Sequence, residues 1–326
     1  VMAEFAHRLD EGRTLTLRSD LALGWDGRPG QPAWCAWENG RVVFTGYRIE
    51  AGLPLAHIQG QLDQLKGRFD GADLSLTGRI NLDSVNVLDQ QVTGLTGNLS
   101  VGQGRARVTD LQGRLLGGSL IGWVNVDLEA TPRYVAALKF DGLDLREYNR
   151  TQPGKQDLHG LLSGQIALEG TGNDRKTLQG RGESHLVKAD LGELPIALRP
   201  FRYLQISTPI RMPAATRTAF DSADVKFQIQ DGRASSDPIQ LSGDAFSLHG
   251  RGIVELTSSE LDLRLRVLYG RDRFHLGRFS DAMREASGGI FDVHITGTPA
   301  NPRVNPEALP LASDAVRRTF MRARGY

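Results

Sequence analysis

Apolar and polar residues alternate in short runs along most of the chain, and glycine separates many of the runs. In Leu74-Ser75-Leu76-Thr77-Gly78-Arg79-Ile80-Asn81-Leu82 the apolar side chains fall at every second position. A period of two places all of them on one face of a β-sheet and leaves the other face to water. Leu261-Asp262-Leu263-Arg264-Leu265-Arg266-Val267 repeats the pattern, with Asp262, Arg264 and Arg266 on the wet side. Strands are expected from Thr14 to Leu23 and from Arg41 to Ile49, separated by a loop from Gly24 to Pro32. They then follow densely from Leu55 to Leu128, at the spacing of an all-β meander. The second half resumes with runs at Leu161–Glu169, Leu178–Lys188, Ala223–Gln230, Ala234–Leu241, Phe246–Leu256, Leu261–Leu268 and Gly289–Gly297.

Two helical interruptions are expected. One lies within Glu193–Leu204, where Leu194, Leu198 and Phe201 have helical spacing and Pro200 limits its length. The other runs from Ser280, a good N-cap, to Ser287, with Gly288 as its stop. Residues 146–158 are polar and contain Pro153-Gly154, which marks a boundary. The expected organisation is a β-segment over 1–145, a linker over 146–158, a second β-region with short helices over 159–310, and a tail over 311–326. In that tail Arg317, Arg318, Arg322 and Arg324 accompany Val316 and Phe320 at helical spacing. This is the pattern of a short basic amphipathic helix that rests on anionic headgroups or docks on a partner; the preferred alternative is a frayed terminus or an end cap on the groove.

A sheet with one apolar face must cover it with a second sheet, a helix or a ligand. Covering helices are few, so an acyl chain is a candidate partner for Leu74, Leu76, Ile80, Leu82, Val124, Val126, Leu128, Leu261, Leu263, Leu265 and Val267. At ~0.8 kcal/mol per CH₂, shielding a chain of ~16 carbons is worth ~12 kcal/mol, and no catalytic group is needed to gain it. The same alternation also fits a β-sandwich or jelly roll, whose apolar faces form an ordinary core. Periodicity leaves both architectures open.

Composition and chemistry narrow the function more than the fold. Among 326 residues, 39 basic and 38 acidic ones nearly cancel, so no global positive field exists to gather nucleic acid phosphates. Glycine is in excess, with 38 residues where average usage of about 7% gives roughly 23, so tight turns should be frequent. The single Cys35 can form neither an intrachain disulfide nor a multi-cysteine metal site. The histidines, at 7, 57, 159, 185, 249, 275 and 294, have no metal-ligand spacing. Gly170-Thr171-Gly172, Gly180-Arg181-Gly182 and Gly250-Arg251-Gly252 lack the third glycine of a phosphate-cradling loop and are expected to be turns or bulges. No catalytic set, metal or cofactor is indicated, and a non-enzymatic protein is expected. No run is apolar enough to span a bilayer, and Val1 is not followed by a signal-peptide pattern, so an anchor or export signal is expected upstream.

Three stretches carry a family resemblance: Ala189-Asp190-Leu191-Gly192-Glu193-Leu194-Pro195, the run from Val225 to Gly232, and Leu248-His249-Gly250-Arg251-Gly252-Ile253-Val254-Glu255-Leu256. With the closing Val293-His294-Ile295-Thr296-Gly297-Thr298-Pro299-Ala300-Asn301-Pro302-Arg303-Val304, they resemble the C-terminal region of the AsmA-like family, from about Leu138 to Pro310. The resemblance implies a mainly β fold of the repeating β-groove type, an elongated, curved antiparallel sheet with a few short helices. It also implies a periplasmic protein of the bacterial envelope, tethered to the inner membrane, that carries phospholipid acyl chains towards the outer membrane. The alternative function is a structural envelope module that binds protein partners and no lipid.

Overall fold

The computed structural model describes residues 2–8, 14–24, 34–51, 53–71, 73–87, 90–151, 159–172, 174–190, 220–243, 246–269, 289–298 and 301–307. The expected helices at 193–204 and 280–287 and the basic tail lie outside these residues. What is described is almost entirely strand, arranged as an antiparallel sheet that does not close into a barrel. Strands pair with their neighbours in chain order, which is the meander predicted by the spacing of the turns. The fold is mainly β, of the curved groove type, and the two stacked sheets of a sandwich are not what the strands build.

Two compact units divide the chain. The first holds residues 1–143 and 163–180, the second residues 144–162 and 181–326. In the first, β1 (Met2–Arg8), β2 (Thr14–Gly24), β3 (Trp34–Ala51), β4 (Leu53–Phe69) and β5 (Leu74–Val87) are followed by β6 (Gln90–Gly102), β7 (Arg105–Leu115), β8 (Gly118–Asp127) and β9 (Arg133–Asp144). A helix, α1 (Leu145–Thr151), occupies part of the stretch expected to be a polar linker, with Glu147 in its first turn and Arg150 in its last. Next come β10 (His159–Thr171) and β11 (Gln179–Asp190), whose residues are shared between the units. The second unit continues with β12 (Ser222–Gln230), β13 (Arg233–Ser242), β14 (Phe246–Glu255), β15 (Leu261–Tyr269), β16 (Gly289–Thr298) and β17 (Asn301–Glu307).

Three hairpins turn on two residues that both have positive φ: Gln103-Gly104, Leu116-Gly117 and Asp231-Gly232. That geometry matches the twist of the flanking strands and so keeps them paired. The glycine pairs of the sequence are different. Gly250 and Gly252 lie inside β14, opposite Leu265 and Leu263 of β15, and Gly180 and Gly182 lie inside β11. A Cβ at Gly252 would come within 2.2 Å of the Leu263 side chain. At Gly250 and Gly180 a Cβ would instead meet the neighbouring strand's backbone, the Arg264 and Ala167 carbonyl oxygens, so these glycines permit close strand approach where turns or bulges were expected.

The long strands bend by a repeated device. In β3, Phe44 and Tyr47 flank Gly46, which has φ 62°; in β4, Leu62 and Leu65 flank Gln64, with φ 54°. Val92 and Leu95 flank Gly94 in β6, Val108 and Leu111 flank Asp110 in β7, and Phe140 and Leu143 flank Gly142 in β9. At Gly46, Gln64, Gly94 and Asp110 the cross-strand register shifts, the mark of a β-bulge that adds one residue to its strand, so apolar side chains three apart fall on the same face. A bulge also bends the strand and increases its twist. Curvature then lets one layer of strands bury its own side chains: Ile58 and Val85 are 2% and 1% exposed.

Tyr134 of β9 is buried, and its ring lies over Gly170 of β10, where a Cβ would meet the hydroxyl at 2.5 Å. Burial raises the pKa of this phenol above its usual value near ten. A raised pKa favours the neutral form in the folded state, so the contribution is complete below about pH 10 and is lost as pH rises further. Urea midpoints between about pH 8 and pH 11 should fall more steeply for the parent than for Tyr134→Phe. Parallel curves would remove the buried phenol from the account.

Candidate functional site

The apolar face of the first unit is one contiguous surface. Its buried centre is Phe44, Ile58, Leu82, Val85, Val92 and Leu120, and around it pack Leu15, Leu62, Ile80, Leu95, Leu138 and Phe140, among others. Strands β2 to β9 all contribute. Cross-strand register builds it rung by rung: Leu82 faces Leu95, Val85 faces Val92, and Tyr47 faces Ile58.

Strict alternation does not locate this centre. Carried past Leu82 it places Ser84 and Asn86 on the apolar face, but the register of β4 against β5 slips between Gln59 and Gly60. The apolar positions of β5 therefore change from even numbers up to Leu82 to odd numbers from Val85. Ile58, Val85 and Val92 stand next to such breaks, at left-handed His57, at the β4–β5 slip and at left-handed Gly94, so alternation passes over them. Phe44 and Leu120 keep the alternation of Val42 and of Val124, and only the packing shows that they belong to the centre.

The sequence-derived candidates fall into three environments. Leu82 and Leu265 are buried, so they hold the sheet together and present little surface to a ligand. Leu76, Ile80, Val124, Val126, Leu261 and Leu263 are half-buried. Leu74 and Leu128 are exposed, at 41% and 46%. The side chain of Val267 lies outside the described residues.

Exposure on this face rises towards one end of the strands. Leu23, Cys35, Phe69 and Leu74 pair in register across β2, β3, β4 and β5 and form a single row at the strand ends. Leu23 is 72% exposed and Phe69 42%. The next row inward is Leu21, Trp37, Gly67, Leu76 and Val101. Gly67 is the seat of Trp37, whose ring a Cβ there would meet at 2.3 Å.

The opposite face is polar and largely self-paired. Arg41 donates from Nε to Asp63 Oδ1 at 2.9 Å, Asn39 donates to Asp20 at 3.1 Å, and Asn98 donates to Asp110 at 2.8 Å. These groups line a depression of 870 Å³ together with Arg18, Gln64, Arg79 and Asn81. Most of the side chains that line it are polar, and they bear both signs of charge. In the second unit the wet positions of β15 are also ladders. Arg266 makes two hydrogen bonds to Asp292, at 2.8 and 3.1 Å, which hold its guanidinium pKa above the usual value, and His294 meets Asp262 at 2.8 Å. Sequence placed Asp262, Arg264 and Arg266 in water correctly but gave no sign of their partners.

Among the described residues no group of three or more His, Cys, Asp or Glu side chains is placed to hold a metal ion. None of the described helices is long and apolar enough to cross a membrane.

Comparison with known proteins gives one match. The model of the AsmA family matches residues 51–239, from the end of β3 into β13, which is more than half of the 326 residues. The match reaches further upstream than the resemblance read from the sequence and ends before β14 and the closing strands. No curated protein and no solved structure matches. With its matched region and its curved antiparallel sheet, the chain belongs to the AsmA family, a family of bacterial envelope proteins.

Proposed function

We propose that this protein binds phospholipid acyl chains on its apolar β-face and passes them between the inner and outer membranes of the bacterial envelope. It acts in the periplasm, tethered to the inner membrane, and it changes no covalent bond of the lipid. One observation carries the reading: the apolar face runs without interruption over β2 to β9 and ends in exposed rows at the strand ends. Membership of the AsmA family supports an envelope role in lipid transport or assembly.

A lipid-free scaffolding role is the second reading, and the buried centre favours it, because Phe44, Ile58 and Val85 already fill that part of the face with the protein's own side chains. Two measurements separate them. Organic extracts of the purified protein, compared by mass spectrometry with a mock purification, should contain phospholipid. Transfer of a fluorescent phospholipid between vesicles should rise with protein concentration and return every lipid chemically intact. Absence of both co-purified lipid and equilibrium lipid binding would leave the scaffold, and cleaved or oxidised lipid would make the protein an enzyme.

A further inference from the structure

The apolar face of the first unit is not equally open along its strands. In the centre its side chains are sealed against one another, with Val85 and Ile58 almost fully buried. Every large hydrophobic residue more than a third exposed on this face, among the described residues, lies where β2, β4 and β5 end or just beyond β8: Leu23, Phe69, Leu74 and Leu128. The other exposed hydrophobics of the unit, Val43, Ile121, Trp123 and Val135, alternate with the apolar positions and so belong to the outer face.

This asymmetry has a chemical consequence for a guest. An acyl chain gains only from apolar surface that water still reaches, and that surface is concentrated at one rim. Leu23, Cys35, Phe69 and Leu74 form it in register, with Trp37 and Leu76 one row below. The connection beyond the rim is polar. Asp70 and Asp73 hydrogen-bond each other across the β4–β5 turn, Asp70 accepting from the Asp73 amide at 3.0 Å, while Arg68 lies over the Trp34 ring at 5.1 Å on the outer side. A headgroup at this edge stays in water while its chain crosses the apolar row.

We infer that acyl chains enter and leave the apolar face laterally, over the rim of Leu23, Cys35, Phe69 and Leu74, and that Trp37 is the first aromatic group they meet below it. This rests on the acyl-binding reading proposed above and adds the place of loading. It assigns the buried centre to the protein's own packing, so the guest occupies the open end of the rows first.

Cys35 is the one cysteine of the chain and stands in the rim row, so the unaltered protein carries its own reporter. Alkylation of Cys35 by N-ethylmaleimide is to be timed with and without palmitate, and palmitate binding measured independently by isothermal calorimetry. Saturating palmitate should slow alkylation at least fivefold. In Leu74→Asp, whose site is exposed, palmitate uptake should slow about tenfold with the melting temperature close to the parent's, and Ile121→Asp on the outer face should load like the parent. If palmitate binds but Cys35 reacts at its free rate, or if Leu74→Asp loads as fast as the parent, loading at this rim is wrong and acyl binding survives. If the parent binds no palmitate, acyl binding itself fails and the rim falls with it.

Discussion

Leu82→Asp should unfold the first unit at a temperature at which Leu74→Asp remains folded, although both residues lie on the same face of β5. Leu82 belongs to the buried cluster with Phe44, Ile58 and Val85, and its cross-strand partner is Leu95. A carboxylate there loses its water and finds no cation among apolar neighbours. Such a site costs about 4 kcal/mol or more, and the carboxyl will protonate before it ionises in place. For a unit of this size that lowers the melting temperature by roughly 10 °C. Leu74, with much of its surface in water, tolerates the same change within about 0.5 kcal/mol. Thermal melts of the two variants at neutral pH check the pair, and equal melting temperatures would mean that the apolar face is open along its whole width, with no sealed centre.

Gly60→Ala should be the most damaging loss of a glycine in the first unit. Gly60 has φ 123°, a region of backbone space that is comfortable for glycine alone. It also lies directly opposite Leu82, where an added Cβ would stand 2.5 Å from the Leu82 Cα and 2.6 Å from the Asn81 carbonyl oxygen. Those are backbone atoms and cannot rotate away. Strain and clash together cost about 3 kcal/mol. Gly102→Ala is the matched control, because its nearest contact would be 3.9 Å away and its φ is negative. Urea unfolding should separate the two clearly, and a Gly60→Ala midpoint equal to that of Gly102→Ala would show that β4 and β5 do not approach each other as described.

Both predictions fall where the β4–β5 register slips, and that is also where reading the sequence by alternation stopped working. The strands themselves were legible. Runs such as Ala223–Gln230 and Leu261–Leu268 became β12 and β15 with boundaries shifted by a residue, because a half-buried strand advertises itself at period two. The resemblance in the second half was legible too, as glycine and hydrophobic spacing. How exposed each candidate is was not legible: Leu74 and Leu128 stand exposed, whereas Leu82 and Leu265, with the same alternation, are packed away from solvent.

Sequence alone determined the class of the fold, the alternation that makes one face apolar, and the near cancellation of charge. These are local or additive properties, set by each residue and its immediate neighbours. Tertiary structure decided which part of that face is open, because burial in a single curved layer depends on where neighbouring strands bend towards each other. A left-handed residue such as Gln64 or Asp110 looks like any polar position in the sequence, yet it moves the following apolar residues onto the face that alternation assigns to water. The ion ladders Arg41–Asp63 and Arg266–Asp292 were hidden for the same reason. Pairing across strands is fixed by register, and register is set by how far each chain has bulged before the partners meet.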